Sequence, residues 1–231
     1  MLQFRPRHRL DHADFGWLKA HHHFAVSPDG NQAHAPLGPL IVWNDDEIAP
    51  GKGFGAHSHR DMEIITYVRQ GAVTHEDSVG SIGVTEAGDV QVMSTGTGIT
   101  HSERNDGDMP LKIFQIWLQP RTRGTAPHWG QRRFPVADRS GRLVILASGL
   151  GDAGALPIDA DARVFGASLL AGQAVDYALA PGRQAYLAPS RGRLRVNGVV
   201  VATGDGIAAR AEPMLRLIAD EDVDFILVDA G

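Results

Sequence analysis

The stretch Gly51-Lys52-Gly53-Phe54-Gly55-Ala56-His57-Ser58-His59-Arg60-Asp61-Met62-Glu63 decides the fold, together with a later one, Gly96-Thr97-Gly98-Ile99-Thr100-His101-Ser102-Glu103-Arg104-Asn105. Each carries two potential metal ligands in an i, i+2 pair: His57 with His59, and His101 with Glu103. Successive side chains of a β-strand point to opposite faces, so such a pair projects from one face. Two pairs on neighbouring strands of a curved sheet bring four donors towards one ion. Three imidazoles and a carboxylate suit a borderline divalent cation such as Fe, Mn, Ni, Cu or Zn. The pattern predicts a metal site inside a small β-barrel.

Outward from these pairs the chain reads as short strands and turns. Leu40-Ile41-Val42-Trp43, Glu63-Ile64-Ile65-Thr66-Tyr67-Val68 and Lys112-Ile113-Phe114-Gln115-Ile116-Trp117-Leu118 are β-rich runs, and 79–81, 86–89 and 105–108 carry turn residues between them. Such spacing favours an all-β sandwich or barrel with little helix. From Gln119 to Arg142 the pattern loosens into a polar, proline-bearing stretch expected to link two domains, 1–130 and 131–231. Strand-like runs then resume at 143–146, 164–169, 184–187, 194–196, 215–218 and 225–228, with Asn197-Gly198 as a hairpin turn. Gly71 and Gly192 open comparable hairpin arms, and Gly88-Asp89 and Gly204-Asp205 follow at comparable places. The whole reads as two similar barrels in tandem, the second without ligands. All eleven histidines lie between His8 and His128, so imidazole chemistry belongs to the first half.

Composition narrows the function classes. Charged residues make up 21% and the formal charge is −5 with no basic block, so the footprint of a nucleic-acid binder is missing. Cysteine is absent, which removes disulfides, thiolate metal sites and cysteine nucleophiles. The first residues carry positive charge without an apolar run behind it, and no apolar run nears the ~20 residues needed to span a bilayer. A cytoplasmic, membrane-free protein is the expectation.

The first half resembles the cupin superfamily. Its first motif is met by Gly51, His57, His59, Glu63 and Gly71, with seven residues between the last two, and its second by Gly88, Gly96, His101 and Asn105. Ser94 stands where proline is usual, and the step from Gly96 to His101 is two residues longer than the motif has. The strings at 53–68 and 93–103, with Asp14-Phe15-Gly16-Trp17-Leu18, His22, Phe24 and Trp43-Asn44-Asp45-Asp46, are very similar to pirin and pirin-like proteins. That resemblance implies a bicupin, two tandem jelly-roll-like barrels. It implies one Fe(II) ion in the first barrel, held by His57, His59, His101 and Glu103. It also implies activity of the quercetin 2,3-dioxygenase kind on a flavonol-like aromatic substrate and O2; the chemistry of that reaction, in which a substrate oxygen gives its proton to a nearby carboxylate, makes Glu103 a candidate base as well as a candidate ligand. The alternative within the family is an iron-dependent regulatory protein that docks on a protein partner without turnover.

Two carboxylates compete for the fourth ligand position. Glu63 holds the usual cupin place and Glu103 the pirin one, and strand parity does not separate them; the resemblance favours Glu103 and leaves Glu63 to steady a ligand imidazole. Parity puts Asp61 on the face of His57 and His59, so a bulge is expected before Glu63. His22 is expected near the site, while His75 and His128 read as surface or hairpin residues. Asn105 reads as turn-forming. Phe54, Tyr67, Met93 and Phe114 read as core, with lining of an aromatic pocket as the other use. Arg132 and Arg133 read as a solvated bend rather than an anion site. Gly96-Thr97-Gly98 lacks the lysine and helix of a phosphate loop.

Overall fold

The computed structural model describes residues 1–231 and is built of strands and three short 3-10 turns. A strand at the start, β1 (Leu2–Arg5), precedes β2 (Asp11–Asp14), β3 (Leu18–His22), β4 (Leu40–Ile48), β5 (Gly53–His59), β6 (Glu63–Gln70), β7 (Ala72–Asp77) and β8 (Ile82–Glu86). There follow β9 (Val90–Ser94), β10 (Ile99–Arg104), β11 (Leu111–Leu118) and β12 (His128–Arg132). The second half runs through β13 (Val144–Ser148), β14 (Leu156–Pro157), β15 (Ala162–Leu169), β16 (Ala174–Ala178), β17 (Gln184–Arg191) and β18 (Arg193–Val196). It ends with β19 (Val199–Ala202), β20 (Gly206–Arg210), β21 (Met214–Ala219) and β22 (Val223–Ala230).

These strands form two barrels of the same plan. A seven-stranded sheet ordered β12-β9-β6-β11-β4-β3-β2 faces a four-stranded sheet β5-β10-β7-β8; the second barrel repeats this as β1-β20-β17-β22-β15-β13-β14 and β16-β21-β18-β19. Asn197 and Gly198 both take positive φ between Val196 and Val199, as the hairpin reading requires.

Two details differ from the sequence reading. The stretch expected as a linker contains β12, which pairs with β9, and a 3-10 turn at Val136–Arg139 whose buried Arg139 donates to the Tyr67 hydroxyl at 3.2 Å. Residues 2–5, assigned by sequence to the first domain, form β1 on the edge of the second barrel's sheet, against β20. Nothing in Leu-Gln-Phe-Arg says which sheet edge it joins. Arg5 then crosses the seam, donating to the His23 carbonyl at 2.6 Å and stacking over Phe24 and Tyr186.

Alternation along the strands explains where the core lies. On β6 the side chains of Ile65 and Tyr67 face the other barrel, while Ile64, Thr66 and Val68 face the interior of their own. The two seven-stranded sheets pack on each other through the largest apolar cluster, 25 residues including Trp43, Phe114, Tyr186 and Val228. Tyr67 and Phe114 belong to that seam, and Met93 to a small cluster inside the first barrel, so the core reading of these residues holds.

Candidate metal centre

Antiparallel pairing of β5 with β10 places His101 opposite His57 and Ile99 opposite His59. The register slips between His101 and Glu103, which lies opposite Phe54. Here the two backbones pass so closely that a Cβ on Gly53 would come within 2.2 Å of the Glu103 carbonyl oxygen. The bulge expected before Glu63 is instead at this point; β5 ends at His59, and Asp61 turns the chain with φ of 51°.

Three imidazoles meet as a result. Ring centres lie 4.4 Å apart for His57 and His101, 4.8 Å for His57 and His59, and 5.2 Å for His59 and His101. One donor atom from each falls within 4.8 Å of the others. The His57 Nδ1 is 2.8 Å from the Gly55 carbonyl, which can only accept, so the hydrogen is on Nδ1 and the Nε2 lone pair is free. Burial, then the neighbouring His57, pulls His59 down to about 4; burial, then His57, His59 and His75, pulls His101 to about 3. Both rings are therefore neutral at pH 7, the form that binds a cation. His101 is buried with neither ring nitrogen hydrogen-bonded. A buried polar atom without a partner is costly, and a divalent ion bound through one nitrogen would relieve it. The residues fit the implied metal.

Glu103 is buried and held on both oxygens. Gln91 Nε2 donates to Oε1 at 2.6 Å and Gln115 Nε2 to Oε2 at 2.7 Å, with the Thr66 hydroxyl 3.4 Å from Oε1. Each glutamine is oriented from behind: the Thr85 hydroxyl donates to Gln91 Oε1 and the Trp117 indole N–H to Gln115 Oε1. Burial raises the Glu103 carboxyl to about 7 against the pull of these donors. The structure groups Glu103 with His101 and His75 rather than with all three imidazoles of the first set. His101 is common to both groups.

The other sequence candidates are dispersed. Glu63 faces the seam between barrels, accepting from Ser94 Oγ at 2.5 Å, and does not steady a ligand imidazole. His22 bonds Asn44 at 2.8 Å, and His128 is exposed. Asn105 closes a turn, with its amide on the Ile48 and Met109 carbonyls. Arg132 donates to the Gly154 carbonyl, and Arg133 lies 3.6 Å from Glu86.

His75 is a correction. It is fully buried beside His101 rather than on the surface, and burial lowers its pKa. The signal was present: His75 and Asp77 form a third i, i+2 pair on a strand. Gln91 and Gln115, which hold Glu103, carried no such signal, because a lone glutamine in a β-rich run marks nothing.

The chain resembles known proteins along its length. The family model described as Pirin matches residues 3–118, and one described as a quercetinase C-terminal cupin domain matches 145–230. A pirin-like protein of Caulobacter vibrioides is 51% identical over 232 residues, covering 100% of both chains. A quercetin 2,3-dioxygenase of Escherichia coli K12 is 36% identical over 230 residues, covering 99% of this chain and 98% of that one. Crystal structures of YhhW from Escherichia coli superpose with TM-scores of 0.95 and 0.93 at 35% identity, covering 100% of this chain and 98% and 99% of theirs. The second of these is described as a bacterial pirin in complex with nickel(II).

Proposed function

The chain belongs to the pirin family of bicupins, and from that premise we propose that it is an Fe(II)-dependent dioxygenase of the quercetin 2,3-dioxygenase type, working in the cytoplasm on a flavonol-like substrate and O2. The ligand set is His57, His59, His101 and Glu103. The observation that carries the reading is the convergence of three imidazoles beside a clamped, buried carboxylate. A bound divalent ion would supply positive charge against an enolate oxygen and a redox partner for O2.

The side chains supply the rest. His57 and His59 are half-buried while His101 is buried, so the open side of the centre is the one next to His57 and His59. Aromatic rings flank that side: Phe54 lies 6.2 Å from His57, and Trp117 4.9 Å from His59. They suit the faces of a planar phenolic substrate. Glu103 is the carboxylate placed to take the proton of a flavonol hydroxyl, and Gln91 and Gln115 keep its oxygens aimed.

The test is anaerobic reconstitution with Fe(II), followed by oxygen uptake with quercetin and related phenolics. Uptake that depends on quercetin and is lost in His59→Ala supports the reading. Equal uptake by both proteins, or none by either, ends it. Iron-dependent capture of a protein partner without turnover would favour the regulatory alternative.

A further inference from the structure

The buried pair His75 and Asp77 has no part in the chemistry above, yet it is fixed with unusual completeness. His75 Nε2 is 2.9 Å from Asp77 Oδ2, and Asp77 Oδ1 accepts from the backbone N–H groups of Val79 and Ser81 at 3.0 Å each. A carboxylate accepts, so the hydrogen is on Nε2 and the lone pair of the ring is on Nδ1. That nitrogen is buried, and no donor of the chain reaches it. The Trp129 indole stacks on the ring at 4.9 Å, nearly parallel at 9°. It can do so because the residue paired with His75 is Gly83, where a Cβ would lie 2.2 Å from the indole. The ring is held on one edge and one face.

What it faces is His101. Strands β7 and β10 pair His75 with Glu103 and Asp77 with His101, and the two imidazole centres are 5.4 Å apart. A histidine that gives one nitrogen to a cation keeps an N–H on the other, and that N–H almost always donates to an acceptor nearby. His101 has no such partner elsewhere in the chain. The geometry points to His75 as the positioning residue of the metal centre: its Nδ1 accepts the N–H of His101 when the other His101 nitrogen is turned to the ion, and Asp77 fixes the tautomer that makes this possible. The inference rests on the reading of His101 as a ligand. In the second barrel the residues at the places of His75 and His101 are Val196 and Leu215, where no ring has to be held.

The test uses the full chain, freed of metal and titrated with Ni2+ against a chromophoric chelator. His75→Leu removes the acceptor, and His75→Asn restores an oxygen close to the Nδ1 position. The expected result is Ni2+ affinity weakened about 10–100-fold in His75→Leu and largely recovered in His75→Asn. Metal-free His75→Leu leaves Asp77 Oδ2 without its donor, so its unfolding midpoint should fall while the chain stays folded at the temperature of the titration. X-ray absorption of the Ni2+-loaded proteins should count the same number of imidazoles in the unmodified chain and in His75→Leu. Affinity within about twofold of the unmodified protein overturns the inference, as does equal loss in both variants. Loss of one imidazole from the Ni2+ shell also overturns it, by making His75 a ligand. Failure of the unmodified chain to bind Ni2+ defeats the metal reading itself, and shows before any variant is made.

Discussion

The two barrels share a strand order and differ in what fills them. Gly71 and Gly192, then Gly88 and Gly204, all with positive φ, align one on the other. Register carries the alignment across the sheets. Thr66 lies between Gln91 and Gln115, and its counterpart Leu187 between Ile207 and Leu227. Glu103 opposite His75 becomes Leu217 opposite Val196, and His101 opposite His57 becomes Leu215 opposite Tyr177. The second barrel thus closes around one apolar cluster of 17 residues, whereas the first is split into clusters of 7 and 3 either side of a polar band. One fold accepts both because the backbone satisfies itself in the strands and leaves the inward positions free. The second barrel and the seam supply most of the buried apolar surface, and the first carries the polar side chains that chemistry needs.

The strongest way to break this comparison is to give the first barrel a residue of the second. His101→Leu, which copies Leu215, should abolish uptake of a divalent ion, read by equilibrium dialysis with Ni2+. The metal-free variant should be no less stable, and gain about 1–2 kcal/mol in urea unfolding, because a buried ring with two unpartnered nitrogens is gone. Tight binding of one ion by this variant would dissolve the distinction between the barrels. The converse change is Leu217→Ala, at the place of Glu103. It should cost about 2–5 kcal/mol through lost burial and the cavity left behind, with Ni2+ affinity unchanged. A fall in Ni2+ affinity would show that the second barrel takes part in the centre.

Much of this division is legible in the sequence, for physical reasons. Period-2 pairs at 57/59 and 101/103 mark a face, and the runs at 184–187, 194–196 and 225–228 mark aliphatic strands. The positions of His57, His59 and His101 follow from that periodicity. Long-range pairing does not. Whether β1 joins the first or second barrel depends on which sheet edge is open, and no local signal in Leu2–Arg5 encodes it. Burial of a single polar residue is equally silent: His75 between two exposed-looking neighbours reads as a hairpin residue until Trp129, more than fifty positions on, covers it. The choice between Glu63 and Glu103 was open for the same reason, since facing the seam or the interior depends on where the strand ends after His59.

A pH-dependent effect, absent at about pH 4.5 and growing above it, sharpens the comparison at the seam. Glu63 has as its counterpart Gln184, a neutral amide that accepts from Arg210. Burial lifts the Glu63 carboxyl to about 7, the Ser94 hydroxyl bond opposing. Between about pH 4.5 and 7 the folded chain therefore keeps a proton that the unfolded chain has released. The state that binds more protons loses ground as pH rises, so this group's contribution is complete below about 4.5 and is lost as pH climbs through 7. Glu63→Gln cannot lose that proton. The two proteins should match in stability near pH 4.5 and diverge in favour of the variant, by up to roughly 3 kcal/mol above pH 7. Urea unfolding of both metal-free proteins across that range measures the difference directly. Asp46, raised to about 8 by burial and by Asp45 and Glu103, slopes the same way in both and cancels. Parallel curves would mean that Glu63 ionises at its ordinary pH, and that the seam tolerates a charge where the second barrel has an amide.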